Sequence, residues 1–179
     1  VICSDIFAGD PNFGFTQGQE YVLKRGGGDG YKGNFAPVAL GGSGAYNYRN
    51  KFKYGYKGGL KVGDVIKTEP GNMTGPTREA FNYRKSRGTT EVVCPVVEPI
   101  SDYHGRCDVT VVGFLKFKLT SVNTNGELKG IYLGPTNDGS NVIPIAIERA
   151  DSGNNNDGND EGEGENGGSE GNGGSGSGS

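Results

Sequence analysis

Apolar positions along the chain come in short runs separated by glycine. Runs at 20–24, 35–40, 60–67, 91–97, 108–121, 130–133 and 141–148 are rich in Val, Ile, Leu, Phe and Tyr, residues that fit a pleated, half-buried surface. Alternation is clearest over 113–122, where Phe114, Lys116, Lys118 and Thr120 share one strand face. Leu115, Phe117, Leu119 and Ser121 share the other, the better core face. Asn125-Gly126, between the fifth and sixth runs, predicts a two-residue hairpin turn. Gly63-Asp64 and Asp138-Gly139 predict further turns. One segment, 76–85 (PTREAFNYRK), reads as a helix with Pro76 at its first position. Seven strand-like runs punctuated by turns predict an all-β fold. It would be an antiparallel sandwich or open barrel with long Gly-rich loops and at most one short helix.

Composition divides the chain in two. Residues 151–179 contain only Gly, Asn, Ser, Asp and Glu, with seven acids and no base. Having no apolar side chain to bury, this stretch is expected to be a disordered acidic low-complexity tail. Of the 35 glycines, 11 fall in it. The remaining 24 belong to residues 1–150, expected to form one Gly-rich β domain. That body carries 18 bases and 14 acids, net +4, so a mildly basic domain precedes a strongly acidic segment. Glycine costs about 1 kcal/mol in a helix interior, which argues against a helical bundle. No apolar run reaches the roughly 18 residues of a membrane span. The chain starts at Val1 without a targeting segment, as expected of a processed or excised chain.

Candidate chemistry is sparse. Cys94 and Cys107 lie in two strand-like runs flanking 99–105. A turn near 100–101 would bring them opposite each other at bridging distance, and a disulfide there favours an extracytoplasmic location. The alternative is two reduced thiols, one of them buried. Cys3 is left over as a free, lipid-linked or interchain thiol. The match of Gly28, Gly30 and Gly33 to a dinucleotide-binding motif fails for want of a following helix. His104, the single histidine, has no second His or orienting partner, so neither a Cys–His nor a serine hydrolase apparatus is expected. The tail does not spell a calcium loop, because Gly153 and Gly164 occupy the first and twelfth ligand positions. Asn72-Met73-Thr74 fits a glycosylation acceptor. No catalytic residue, cofactor or metal site is expected.

Residues 46–57 are the most unusual stretch of the body: Tyr46, Tyr48, Phe52, Tyr54 and Tyr56 interleave with four bases. One reading is an amphipathic strand pair whose rings pack on the sheet. The other is an exposed aromatic patch for a subunit interface or a sugar. A net charge of +4 is small for a nucleic-acid binder, and no nucleic acid is expected as partner.

The phrases EYVLK, GDGYKGNF, ALGGSGAYNY, YGYKGGLKVGD and TEPGNMTGPT occur in this order over 20–77. Together with CPVVEP and VTVVGFLKF, they resemble a region of bacterial TadE/TadG-like proteins associated with Flp-type pilus assembly. The resemblance covers about 110 of the 150 body residues. It implies a secreted or membrane-tethered envelope protein, mostly of Gram-positive bacteria, with a β-rich extracytoplasmic domain and no transferable catalytic residues. The expected function is that of a non-enzymatic extracellular or cell-surface structural module. It would self-associate as a pilus-like filament subunit or pilus-associated protein, with Tyr46, Tyr48, Phe52, Tyr54 and Tyr56 at the interface. A carbohydrate- or cell-wall-binding module using the same patch is the alternative.

Overall fold

A computed structural model of the chain describes residues 10–26, 35–98 and 106–148. Among them lie β1 (Glu20–Lys24), β2 (Phe35–Ala39), α1 (Ala45–Tyr54), β3 (Val65–Thr68), α2 (Thr74–Arg87), β4 (Glu91–Val97), β5 (Asp108–Val122), β6 (Leu128–Thr136) and β7 (Ile145–Ile147). Each of the seven β-like runs contains or overlaps a strand. The Gly28–Gly33 motif, Cys3, His104 and the 151–179 tail lie outside the described residues.

β5 organises the sheet because it is 15 residues long. Along one edge it pairs with β4, from Glu91↔Lys118 to Val97↔Val111. Along the other it serves two partners. β3 takes 108–110 and β6 takes 114–122. β5, β3, β2, β7 and β4 then close a circuit, so the strands form a closed five-stranded barrel from which β6 and β1 continue. This corrects the expected open barrel or sandwich. Closure runs through β7, which pairs antiparallel with β2 and parallel with β4 at Val96↔Ile147. Its three residues, IAI, fall within the β-like run 141–148, but their pairing with β2 and β4 at once is not written in that run.

A bulge between Val96 and Val97 leaves one extra β5 residue opposite β4, which alters the facing of β5. Val109, Val111 and Phe114 join a core cluster with Val38, Leu40, Ile66 and Val97. Leu115, Phe117 and Leu119 join the larger cluster with Cys94, Val96, Leu128 and Tyr132. Phe114 is therefore buried although alternation places it beside the exposed Lys116 and Lys118.

Two helices, not one, cover this core. Residues 45–54 form a helix where β-rich aromatic content suggested a strand pair. Tyr48 and Phe52, four apart, share one helical face and enter the larger core cluster; packing of that stripe overrides the strand preference of Tyr and Phe. α2 extends beyond the predicted 76–85 and holds Pro76 in its first turn, where no intrahelical N–H bond is lost. Its C-terminus closes at Gly88 in the left-handed region (φ 68°), with Thr89 N–H donating to Arg84 O at 3.0 Å.

The predicted β5–β6 hairpin is present, but its connection spans 123–127 instead of two residues. Asn123 Oδ1 accepts the N–H groups of Asn125 and Glu127, and Gly126 supplies the left-handed φ of 82°. The predicted Cys94–Cys107 disulfide is absent. Cys94 is opposite Leu115, eight positions along the chain from Cys107, and the two thiols are not bonded to each other. A symmetric turn at 100–101 would have matched them; the observed register does not.

Candidate functional site

α1 is held at both ends by residues from elsewhere in the chain. At its N-terminus the buried Glu69 carboxylate accepts the Gly44 N–H at 3.2 Å and pairs with Arg106 Nη2 at 3.0 Å, an anion placed where the helix dipole favours one. Asn47 Nδ2 donates to the Leu40 and Gly42 carbonyls, fixing the preceding Gly-Gly-Ser-Gly loop. At the other end, Arg84 from α2 donates through Nε to Phe52 O at 2.6 Å and through Nη1 to Thr89 O at 2.8 Å. Burial holds the Arg84 guanidinium below its ordinary pKa. Between the helices Tyr48 Oη and Thr77 Oγ1 are bonded at 2.9 Å. Burial pushes the Tyr48 phenol up, as it does the Cys94 thiol.

With these inner stripes fixed, the outer stripes are fixed too. α1 turns Tyr46, Arg49, Lys53 and Tyr54 outward, and α2 presents Glu79, Tyr83 and Arg87 at i, i+4 and i+8. Glu79 bridges the helices, with Oε2 3.2 Å from Arg49 Nη1 and Oε1 3.0 Å from Lys53 Nζ. The Lys53 hydrogen bond is the main cause that holds its carboxyl below the usual range. Tyr54 and Tyr83 meet edge to face at 5.3 Å. Lys53 and Arg87 approach the Tyr83 ring at 5.5 and 5.0 Å, and Arg49 approaches Tyr46 at 5.4 Å. Beside this array runs a groove of about 420 Å³, lined by Lys53, Tyr54, Tyr83, Arg87, Val93 and Asn141 among others.

The charge balance of this layer differs from that of the whole protein. α1 and α2 together hold seven bases and one acid, Glu79. Arg84 is buried; the other six bases are at least partly exposed. Among the described residues no carboxylate bridges Arg78, Lys85 or Arg87. Tyr46 is 72% exposed and Tyr54 55%, while the adjacent cations keep the rings in a polar setting.

A second cleft, of about 550 Å³, lies between the 41–43 loop, Tyr56, Leu60 and β3. Its charges are engaged within the protein. Lys67 pairs with Asp108 at 2.7 Å, Arg106 with Glu69 at 3.0 Å, and Asp64 Oδ2 accepts the Lys61 N–H at 2.9 Å. It offers a partner less unmatched charge than the helical face does.

The five aromatic candidates are therefore divided. Tyr48 and Phe52 are core residues, at 2% and 0% exposure, and are removed from any interface because their helical stripe faces inward. Tyr46 and Tyr54 stand on the outer face. Tyr56 is half-buried in the second cleft with Lys51 Nζ 5.7 Å from its ring. Tyr83 and Arg87 were missed. Their signal was the four-residue spacing of Glu79, Tyr83 and Arg87, opposite the Thr77, Ala80, Phe81 and Arg84 stripe.

Among the described residues no group of three His, Cys, Asp or Glu side chains is placed to hold a metal ion. No described helix is long and apolar enough to cross a membrane. No family model, curated protein or solved structure matches the chain.

Proposed function

We propose that this protein is a non-enzymatic, extracytoplasmic structural module of a bacterial cell-surface assembly, and that its copies associate through the outer face of α1 and α2. The exposure of Tyr46 and Tyr54 on a helical layer in which Arg78, Lys85 and Arg87 have no bridging carboxylate among the described residues carries the reading. Aromatic and Arg side chains supply contact area and binding energy at protein interfaces. The resemblance of the TEPGNMTGPT region to TadE/TadG-like proteins supports the same setting. Like-charged faces repel, so two such faces would not meet each other. The contact is heterologous, basic face on a different, acidic surface of the next copy, and a heterologous contact that does not close propagates as a filament.

The second reading is a glycan-binding module. The groove beside Tyr54 and Tyr83 favours it, but the Tyr83 ring is crowded by Lys53 and Arg87, which leaves little bare face for a sugar. Electron microscopy of the purified full chain at micromolar concentration separates the two. Extended assemblies support the first; a strictly monomeric protein that sediments with cell-wall glycan contradicts it and supports the second.

A further inference from the structure

We infer that the outer face of α1 and α2 is the docking site for the chain's own acidic segment, residues 151–179. The inference rests on the reading of that face as the assembly surface and supplies the acidic surface it requires.

Three observations converge. The first is charge. Together α1 and α2 carry six at least partly exposed bases, Lys51 among them on the Tyr56 side, against one carboxylate, and the segment carries seven carboxylates and no base. It is the most acidic stretch of the chain. The second is connectivity. Asn141 lines the groove beside Tyr54 and Tyr83, and Glu148 follows seven residues later, within about 25 Å by chain length. A Gly-, Ser- and Asn-rich segment of 29 residues spans on the order of 30 Å root-mean-square. Its acids therefore reach the face of their own copy. The third is chemistry. The segment has no apolar residue, so hydrophobic burial cannot hold it. It needs a surface offering charge and hydrogen-bond donors, and the unbridged Arg78, Lys85 and Arg87 offer both.

Docking within one copy benefits from an effective concentration in the millimolar range, so a dilute monomer covers its own basic face. When copies are crowded, the same segment passes to a neighbour's face by exchange of an identical element, a low-cost route to association. One occupant thus shields the face in isolation and joins copies in the assembly.

Zero-length carbodiimide cross-linking of the full chain tests this, with mass spectrometry locating the links. A mixture of light and ¹⁵N-labelled copies distinguishes links within a copy from links between copies. Most links from Glu161, Glu163, Glu165 and Glu170 are expected on Lys53 and Lys85. Their yield should fall roughly tenfold as salt rises from about 0.05 M to about 0.5 M. The double substitution Arg78→Gln and Arg87→Gln, which removes no linkable lysine, should lower the yield about fivefold while leaving the circular dichroism spectrum unchanged. Links within or between copies both place the segment on the face. Links spread evenly over Lys61, Lys116 and Lys118, or no links to α1 and α2, overturn the docking. Sedimentation of the same samples reports separately whether copies associate, so a monomer with links on the face would contradict the assembly reading alone.

Discussion

Lys24 is buried at 2% exposure, and its Nζ donates to the carbonyls of Arg25 at 3.1 Å and Gly126 at 3.4 Å. Burial lowers its pKa from 10.5 to about 8. The folded state therefore binds fewer protons than the unfolded state between those values, and stability rises with pH across that window. Below about pH 8 the burial penalty is present in full. Urea titrations at pH 7.5 to 10.5 on the wild type and Lys24→Met should show the wild type gaining on the variant, by at most about 3 kcal/mol. A constant difference would contradict a desolvated ammonium. Arg84 is a second buried cation, and it ties the C-terminal ends of both helices together through the carbonyls of Phe52 and Thr89. Arg84→Met leaves both without that donor and is expected to cost about 2–4 kcal/mol in denaturant unfolding; a loss below about 0.5 kcal/mol would show that the helix ends do not depend on it.

At the scale of elements, tight joints sit where glycine permits close approach. A Cβ on Gly139 would collide with the Leu60 carbonyl and the Phe114 ring, so Gly139→Ala should destabilise the protein by about 1–3 kcal/mol, measured as a lowered denaturation midpoint. Cys94 in β4 is fully buried with its thiol pushed up by burial. Its alkylation rate should follow global unfolding and rise with denaturant; reaction at the rate of an exposed thiol in native buffer would contradict this.

Strands were legible in the sequence because glycine bounds them and Val, Ile and Phe fill them. Alternation also placed Leu115, Phe117 and Leu119 correctly in the core. Less legible was whatever depends on partners distant in sequence. α1 was hidden because Tyr48 and Phe52 suit a strand as well as a helix, and the deciding contacts come from Thr77, Arg84 and the sheet. Closure through β7 depends on three residues finding β2 and β4 together. Of the candidate site, Tyr46 and Tyr54 were visible as part of an aromatic and basic run. The contribution of α2 was not, because Tyr83 joins them only through tertiary packing.

For the whole molecule, the net charge of −3 conceals a polarity between a basic helical layer and an acidic terminal segment. Such a molecule repels a copy approaching layer to layer and attracts one approaching layer to segment. Converting the seven carboxylates of 151–179 to amides should therefore abolish salt-sensitive association, read by light scattering between about 0.05 and 0.5 M salt. The proposed contact joins copies through the outer face of α1 and α2. Sedimentation equilibrium of the full chain against Tyr46→Ala with Tyr54→Ala tests it most directly, with the exposed Val62→Ala as control. Concentration-dependent high-order species are predicted for the wild type and the control, and monomer for the double variant. Equal association of all three, or a wild type that stays monomeric at every concentration, would contradict the claim.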